Sequence, residues 1–421
     1  MTTFKSRDER QEECRVKWIK NKCRGIVVAP TGVGKTRIAL NCIRTILSKY
    51  PLFTVIVIVP TLTLQKQWID EVDKLGYSLN VKVLVINSAV KKDYKCDLLV
   101  IDEIHKVATP SFISIFEKIK YRIVLGLTAT LHRLDGKEVL IEKYCPVIDT
   151  ITESEALQNH WISQYKEYLV LLDVPDIENY LELNNQFYQH FEFFNYDFGI
   201  LRKLLGPKGY LNRIKLRDIM YKGSDKQMKS DTLKNITFHA MEAARLLQAR
   251  KSFINYHPLK LEVARDIINA RNNSKIITFS NNIKMAESIG MGSVYSRKTS
   301  KKRGEKIIED FNSNMFGILN TVQKANEGLD IYGLSVAIIL GLDSSEIKAI
   351  QRRGRVIRFE PNKQAEIFNL VLNDTVEVNW FMNSHKNSDF TTIDLNGLKQ
   401  VLEHKEPDKY VKKIKNFMFR F

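Results

Sequence analysis

The sequence predicts an α/β chain built from two parallel-sheet domains in tandem, with a helical insertion between them and a C-terminal extension. Three observations carry this. Short β-branched runs alternate with helical periodicity up to residue 155, and the same alternation resumes after Ser274. The stretch between has helical spacing and a charge pattern of its own. The expected division is residues 1–155, 156–270, 271–380 and 381–421.

Each element follows from its local chemistry. Ile26–Val28, Val55–Val59, Val81–Ile86, Leu98–Ile101 and Ile123–Leu127 are short, continuous apolar runs, as strands buried on both faces of a parallel sheet require. Between the first two, Ile38, Ala39, Cys42, Ile43, Ile46 and Leu47 recur at helical spacing, giving a strand–turn–helix–strand unit. In the insertion, Phe187, Phe191, Phe194 and Phe198 fall at i, i+4, i+7 and i+11 on one helix face. That spacing serves either a core or a base-stacking platform. Residues 201–230 carry nine Lys/Arg against Asp218 and Asp225 alone, with a turn at Gly206–Gly209. Lys275–Phe279, Phe316–Asn320, Val336–Leu340 and Glu366–Leu370 repeat the strand pattern, and Asn396–Phe421 reads as a basic helical tail.

Composition narrows the class. Lys+Arg total 65 against 48 Asp+Glu, a formal charge of +17 with a pI near 9.4, which points to a polyanionic partner. A hydrophobic share of 44% excludes wholesale disorder. The longest apolar runs are too short to span a bilayer and no signal peptide opens the chain, so an intracellular, non-secreted location is expected. Five scattered cysteines without a CxxC pair fit a reducing compartment and no structural zinc.

The sharpest motif is Ala29-Pro30-Thr31-Gly32-Val33-Gly34-Lys35-Thr36, placed after a strand and opening a helix. Glycines let the backbone curl so that its N–H groups point at phosphate oxygens, and the helix N-terminus adds positive potential. Lys35 would neutralise phosphate charge and the Thr36 hydroxyl would ligate Mg²⁺. Asp102 and Glu103 end an apolar strand, where Asp102 would hold Mg²⁺ and Glu103 would activate the attacking water, with His105 close by. Arg355 and Arg358, three residues apart in Gln351-Arg352-Arg353-Gly354-Arg355-Val356-Ile357-Arg358, suit bidentate contact with phosphate oxygens. Supplied by the second sheet, they would complete an ATP site as arginine fingers.

In order along the chain, Thr36, the Asp102-Glu103-Ile104-His105 box, Thr128-Ala129-Thr130 and the Gln351–Arg358 run resemble the superfamily 2 DExH helicases and translocases. Gly126–Gly136 and Val59-Pro60-Thr61-Leu62-Thr63-Leu64-Gln65-Lys66-Gln67-Trp68 resemble the branch holding XPB-type repair helicases, type III restriction motors and phage branch-migration helicases. The resemblance implies two RecA-like domains and an ATP-dependent DNA helicase or translocase of repair, recombination or replication, with ATP and Mg²⁺ as cofactors. It implies an adenine-reading role for Gln11, and nucleotide contacts from Gly328 and Asp330 beside the phosphate loop. Thr61, Ser280 and Thr321 would touch the nucleic-acid backbone, and Arg133 and Asp135 resemble an Arg-Glu-Asp element. Gln351 joins the catalytic set. Lys208, Arg213, Lys215 and Arg217 are candidate phosphate contacts in the insertion, binding DNA (single-stranded, forked or branched) without sequence preference. An RNA helicase, a restriction-system motor subunit and a nucleic-acid-binding protein with a decayed ATP site are the alternatives.

Overall fold

A computed structural model describes residues 5–131, 136, 139–322, 331–342, 345–361, 363–386 and 388–408. Helix α1 (Arg7–Lys20) opens on a reciprocal cap: the Ser6 hydroxyl accepts from Glu9 N–H, and the Glu9 carboxylate accepts from Ser6 N–H. Then follow β1 (Arg24–Val28), α2 (Lys35–Lys49), β2 (Val55–Val59), α3 (Leu62–Lys74), β3 (Val81–Val85), β4 (Leu98–Asp102), β5 (Ile123–Thr128) and β6 (Val147–Thr150). They form one all-parallel sheet in the order β3–β2–β4–β5–β1–β6. β2 and β4 are buried along their whole length, which explains their unbroken apolar runs.

The connector carries α4 (Glu153–Gln158) and then β7 (Gln164–Leu172). β7 departs from expectation. It lies inside the segment read as linker and insertion, yet it joins the second sheet. The insertion proper is α5 (Ile177–Glu192), α6 (Phe198–Leu205), α7 (Gly209–Met220) and α8 (Lys226–Tyr256), and α9 (Pro258–Ala270) returns the chain to the sheet. Phe187, Phe191 and Phe194 pack with Leu201, Leu204, Ile236 and Ala240 in a separate core. The aromatic stripe is therefore core, with only Phe198 half-exposed at its end.

The second sheet adds β8 (Lys275–Ser280), β9 (Ser293–Tyr295), β10 (Gly317–Val322), β11 (Leu334–Ile339), helix α10 (Glu346–Val356), β12 (Gln364–Leu372) and β13 (Thr391–Ile393). Its order is β9–β10–β8–β11–β12–β7–β13, again all parallel. β13 comes from the segment expected to be a C-terminal extension, because β7 leaves an open edge that Thr391–Ile393 covers. A fully buried ion pair, Lys260 Nζ to Glu377 Oε1 at 2.6 Å, pins α9 beneath this sheet, with Lys260 also donating to the Leu340 carbonyl. An apolar core runs from the α2 face of the first sheet through Ile151, Ala156, Trp161 and Ile162 to one face of the second. Among the described residues no helix is long and apolar enough to cross a membrane.

Candidate active site

The phosphate-loop motif lies where its local chemistry requires. Gly34 caps the start of α2 with a φ of +94° that suits glycine, and a Cβ there would stand 2.5 Å from Gln11 Nε2. Gln11, buried on α1, donates from Nε2 to the Val33 carbonyl at 2.8 Å. Its Oε1 is buried with no hydrogen-bond partner among the described residues. Val33 contributes only backbone here, since its side chain sits in the core. Lys35 Nζ donates to the Ala29 carbonyl at 3.2 Å, across the loop it caps.

β4 delivers the two carboxylates. Asp102 Oδ2 accepts from the Trp68 indole at 2.9 Å, and Oδ1 accepts from Glu103 N–H at 3.0 Å. Burial, reinforced by the neighbouring Glu103 charge, pushes the Asp102 carboxyl up to about 6. Glu103 adopts a left-handed backbone, φ +51°, immediately after the strand. His105 is buried behind Glu103. Its Nδ1 lies 3.4 Å from Glu103 Oε2 and 2.9 Å from the Thr128 hydroxyl, which donates on to the Thr130 carbonyl at 2.6 Å. The histidine is thus hydrogen-bonded to β5 and only approaches the carboxylate, whose Oε2 has no hydrogen-bond partner among the described residues, and it does not line the cleft.

A cavity of about 530 Å³ lies between the sheets. The first sheet contributes Thr31, Gly32, Gly34, Lys35, Thr36, Asp102 and Glu103, and the second contributes Gln351, Arg355 and Arg358. Gly354 packs so closely on Thr31 that any Cβ would collide with it, so the arginine helix rests directly on the phosphate loop. Residues outside the quoted motifs also line the space, Arg7, Tyr332, Phe359 and Glu360, as does Gln67 of the Val59–Trp68 run. Beside the Val59–Trp68 run, spacing on α3 signals its contribution, since Leu64, Trp68 and Val72 share a face and a buried indole needs an acceptor.

The proposed nucleic-acid residues are less concentrated. Thr61 caps α3, accepting from Leu64 N–H. Thr321 is fully buried in β10 and donates to the Thr278 carbonyl at 2.7 Å, and the Ser280 hydroxyl is buried with no hydrogen-bond partner among the described residues. Lys208 and Lys215 are exposed. Arg213 instead donates to the Leu204 carbonyl at 3.2 Å, left unpaired where α6 ends, and Arg217 pairs with its neighbour Asp218 at 2.6 Å in the last turn of α7. Arg133, Asp135, Gly328 and Asp330 lie outside the described residues.

Two family matches fall on the two halves of this cleft. Residues 4–95 and 83–133 match the type III restriction enzyme res subunit, and residues 259–360 match the helicase conserved C-terminal domain. The chain belongs to the superfamily 2 helicases. This superfamily 2 chain is 28% identical over 395 residues to the DNA 3'-5' translocase XPB2 of Sulfurisphaera tokodaii, covering 87% of this chain and 82% of that one. It is 37% identical over 136 residues, 26% of each chain, to a candidate ATP-dependent RNA helicase of African swine fever virus. The helicase domain of Pyrococcus furiosus Hef shares the fold, with a TM-score of 0.51 at 18% identity, covering 89% of this chain and 97% of that one. As a superfamily 2 helicase the protein is a nucleic-acid-dependent ATPase.

Proposed function

We propose that this superfamily 2 helicase is an ATP-driven DNA translocase or helicase of the DExH type, acting inside the cell in repair, recombination or replication. The observation that carries the reading is the single cavity where Lys35, Glu103, Arg355 and Arg358 converge from two sheets. Likeness over most of the chain to a DNA translocase favours DNA as the polymer. The residues fit the nucleotide. Gln11 Oε1 offers an unsatisfied acceptor to an adenine amine, and the glycine-lined loop offers N–H groups to phosphate. Lys35 would bind phosphate and Gln351 would face it. Glu103 would take the proton of the attacking water, while His105 packs 3.4 Å behind its Oε2.

A divalent cation fits the buried carboxylate of Asp102, whose charge has no cationic partner at hydrogen-bond distance among the described residues, together with the Thr36 hydroxyl. Mg²⁺ there would neutralise charge on phosphate oxygens. Arg355 and Arg358 would stabilise the transferring phosphoryl group once the lobes are apposed. In this reading the first lobe is residues 5–155. The second combines β7 with residues 258–402, and residues 177–256 project from it. Thr61 and the exposed Lys208 and Lys215 would track the phosphate backbone.

An RNA helicase is the second reading, favoured by the name of the viral relative over its shorter match. Phosphate release measured with single-stranded, duplex, forked and four-way DNA and with RNA separates the two. Stimulation by DNA above that by RNA is expected, and the reverse order would transfer the assignment to RNA.

A further inference from the structure

The connector between the sheets grips the residues that follow α10, Arg358 among them, while Arg355 lies on α10 itself. Ile162 forms an antiparallel bridge with Arg358. Ser163 N–H donates to the Ile357 carbonyl at 2.9 Å, and its hydroxyl donates to the Arg358 carbonyl at 3.0 Å while accepting from Glu360 N–H at 3.1 Å. Within α10, Arg353 reaches in three directions. Its Nε donates to Glu167 Oε2 on β7 at 2.8 Å, one terminal nitrogen meets Glu153 Oε2 at 3.4 Å, and the other donates to the Ser388 hydroxyl at 2.8 Å. Glu153 opens α4, and its second oxygen accepts from the Tyr165 hydroxyl at 2.6 Å.

The far end of this chain is fixed to the nucleotide lobe. Two residues along α4, Glu155 accepts from Arg10 Nε at 2.7 Å, and Arg10 also forks onto Asp149 at 2.6 and 3.0 Å. Arg10 adjoins Gln11. Hydrogen-bonded side chains, joined through two residues of α4 backbone, therefore connect the stretch of α1 that carries Gln11 to the finger helix.

We infer that Glu153, Tyr165 and Arg353 are positioning residues that clamp α10 to the first lobe, so that seating of the nucleotide and alignment of Arg355 and Arg358 become one mechanical event. The assignment rests on reading those arginines as fingers. A purely structural role fits Glu153 poorly. The Arg353–Glu167 pair is buried on both sides, and Glu167 is further satisfied by Asn369 and His385, all within the second lobe. Glu153 is 30% exposed at its side chain and belongs to the other lobe, so its bond adds restraint between lobes rather than charge compensation. None of the three lines the cavity, so each acts through α10.

The test uses the full chain with Glu153→Ala and Tyr165→Phe, because Arg353→Ala would strand the buried Glu167 charge and endanger folding. Stimulated kcat should fall about 5- to 30-fold while KM for ATP stays within about twofold. Combined with Arg355→Ala, Glu153→Ala should add no further loss, since it works through that arginine. Losses that multiply, or a wild-type kcat in both single variants, would overturn the clamp. Hydrogen exchange of residues 349–358 without nucleotide gives an independent reading. It should quicken about tenfold in the Glu153→Ala, Tyr165→Phe pair. Unchanged exchange rejects the clamp even if turnover is absent, whereas a wild-type chain lacking turnover would instead reject the ATPase reading.

Discussion

Lys35 and Glu103 face one cavity but differ in when they act. Lys35 would meet phosphate before and during the reaction, so Lys35→Ala should weaken nucleotide binding and turnover together. Glu103 would act only on the proton of the attacking water. Its left-handed backbone, a conformation costing about 1 kcal/mol for a non-glycine residue, is held by the turn after β4 and turns its carboxylate into the cleft. Glu103→Gln keeps that shape, so binding of a fluorescent nucleotide should persist while phosphate release falls about 10²- to 10⁴-fold. Wild-type turnover in Glu103→Gln would remove Glu103 as the base. The phosphate loop was legible because its chemistry is local, eight consecutive residues between a strand and a helix. The support beneath Asp102 was not, because an indole 34 positions away supplies it.

At the scale of elements, α7 sorts its own cations. Lys208 and Lys215 face solvent, whereas Arg213 is spent on the C-terminal end of α6. Each phosphate neutralised steepens the log–log salt dependence of duplex binding by about 0.9. Lys208→Ala with Lys215→Ala should flatten that slope by up to about 1.8 without lowering Tm. Arg213→Ala should instead destabilise by about 1 kcal/mol through the lost carbonyl contact and leave the slope alone. Binding titrations at three salt concentrations, beside thermal melts, read both. Sequence patterning separated strands from helices wherever a run was buried on both faces. It missed β7, since the short apolar run Tyr168–Leu172 sits among helical segments and a run that short does not declare its type. Its partner β12 lies about two hundred residues on, too far for any local signal.

Across the whole molecule, the ion pairs holding α1 against β6 make stability depend on pH. Burial would raise the Asp149 carboxyl, but Arg10 and Lys17 outweigh it and hold the group at about 2, below its ordinary 3.8. A depressed carboxylate stabilises the fold above its unfolded value and loses that contribution as pH falls through the folded one. The shift corresponds to about 2 kcal/mol. Asp149→Asn should therefore melt well below wild type at pH 7, and the gap should narrow as pH falls from about 4 towards 2. A gap constant over that window would show that charge at Asp149 is not the stabilising element. These long-range pairs escape sequence reading for one reason: Arg10 gives no sign of which acid, 139 residues later, it will meet.

The placement of β7 also bears on synthesis. A ribosome releases the first sheet complete before the insertion emerges, so that lobe can fold as it leaves the tunnel. β7 emerges next and must wait for β12 and β13, which flank it on both sides and follow about two hundred residues later. Throughout that delay the strand Gln164–Leu172 exposes an apolar run and two unpaired edges, the surface that invites association with other nascent chains. Expression yield should thus depend on elongation rate and on holdase chaperones between the synthesis of β7 and that of β12, with inclusion bodies built chiefly from chains stalled before Gln364.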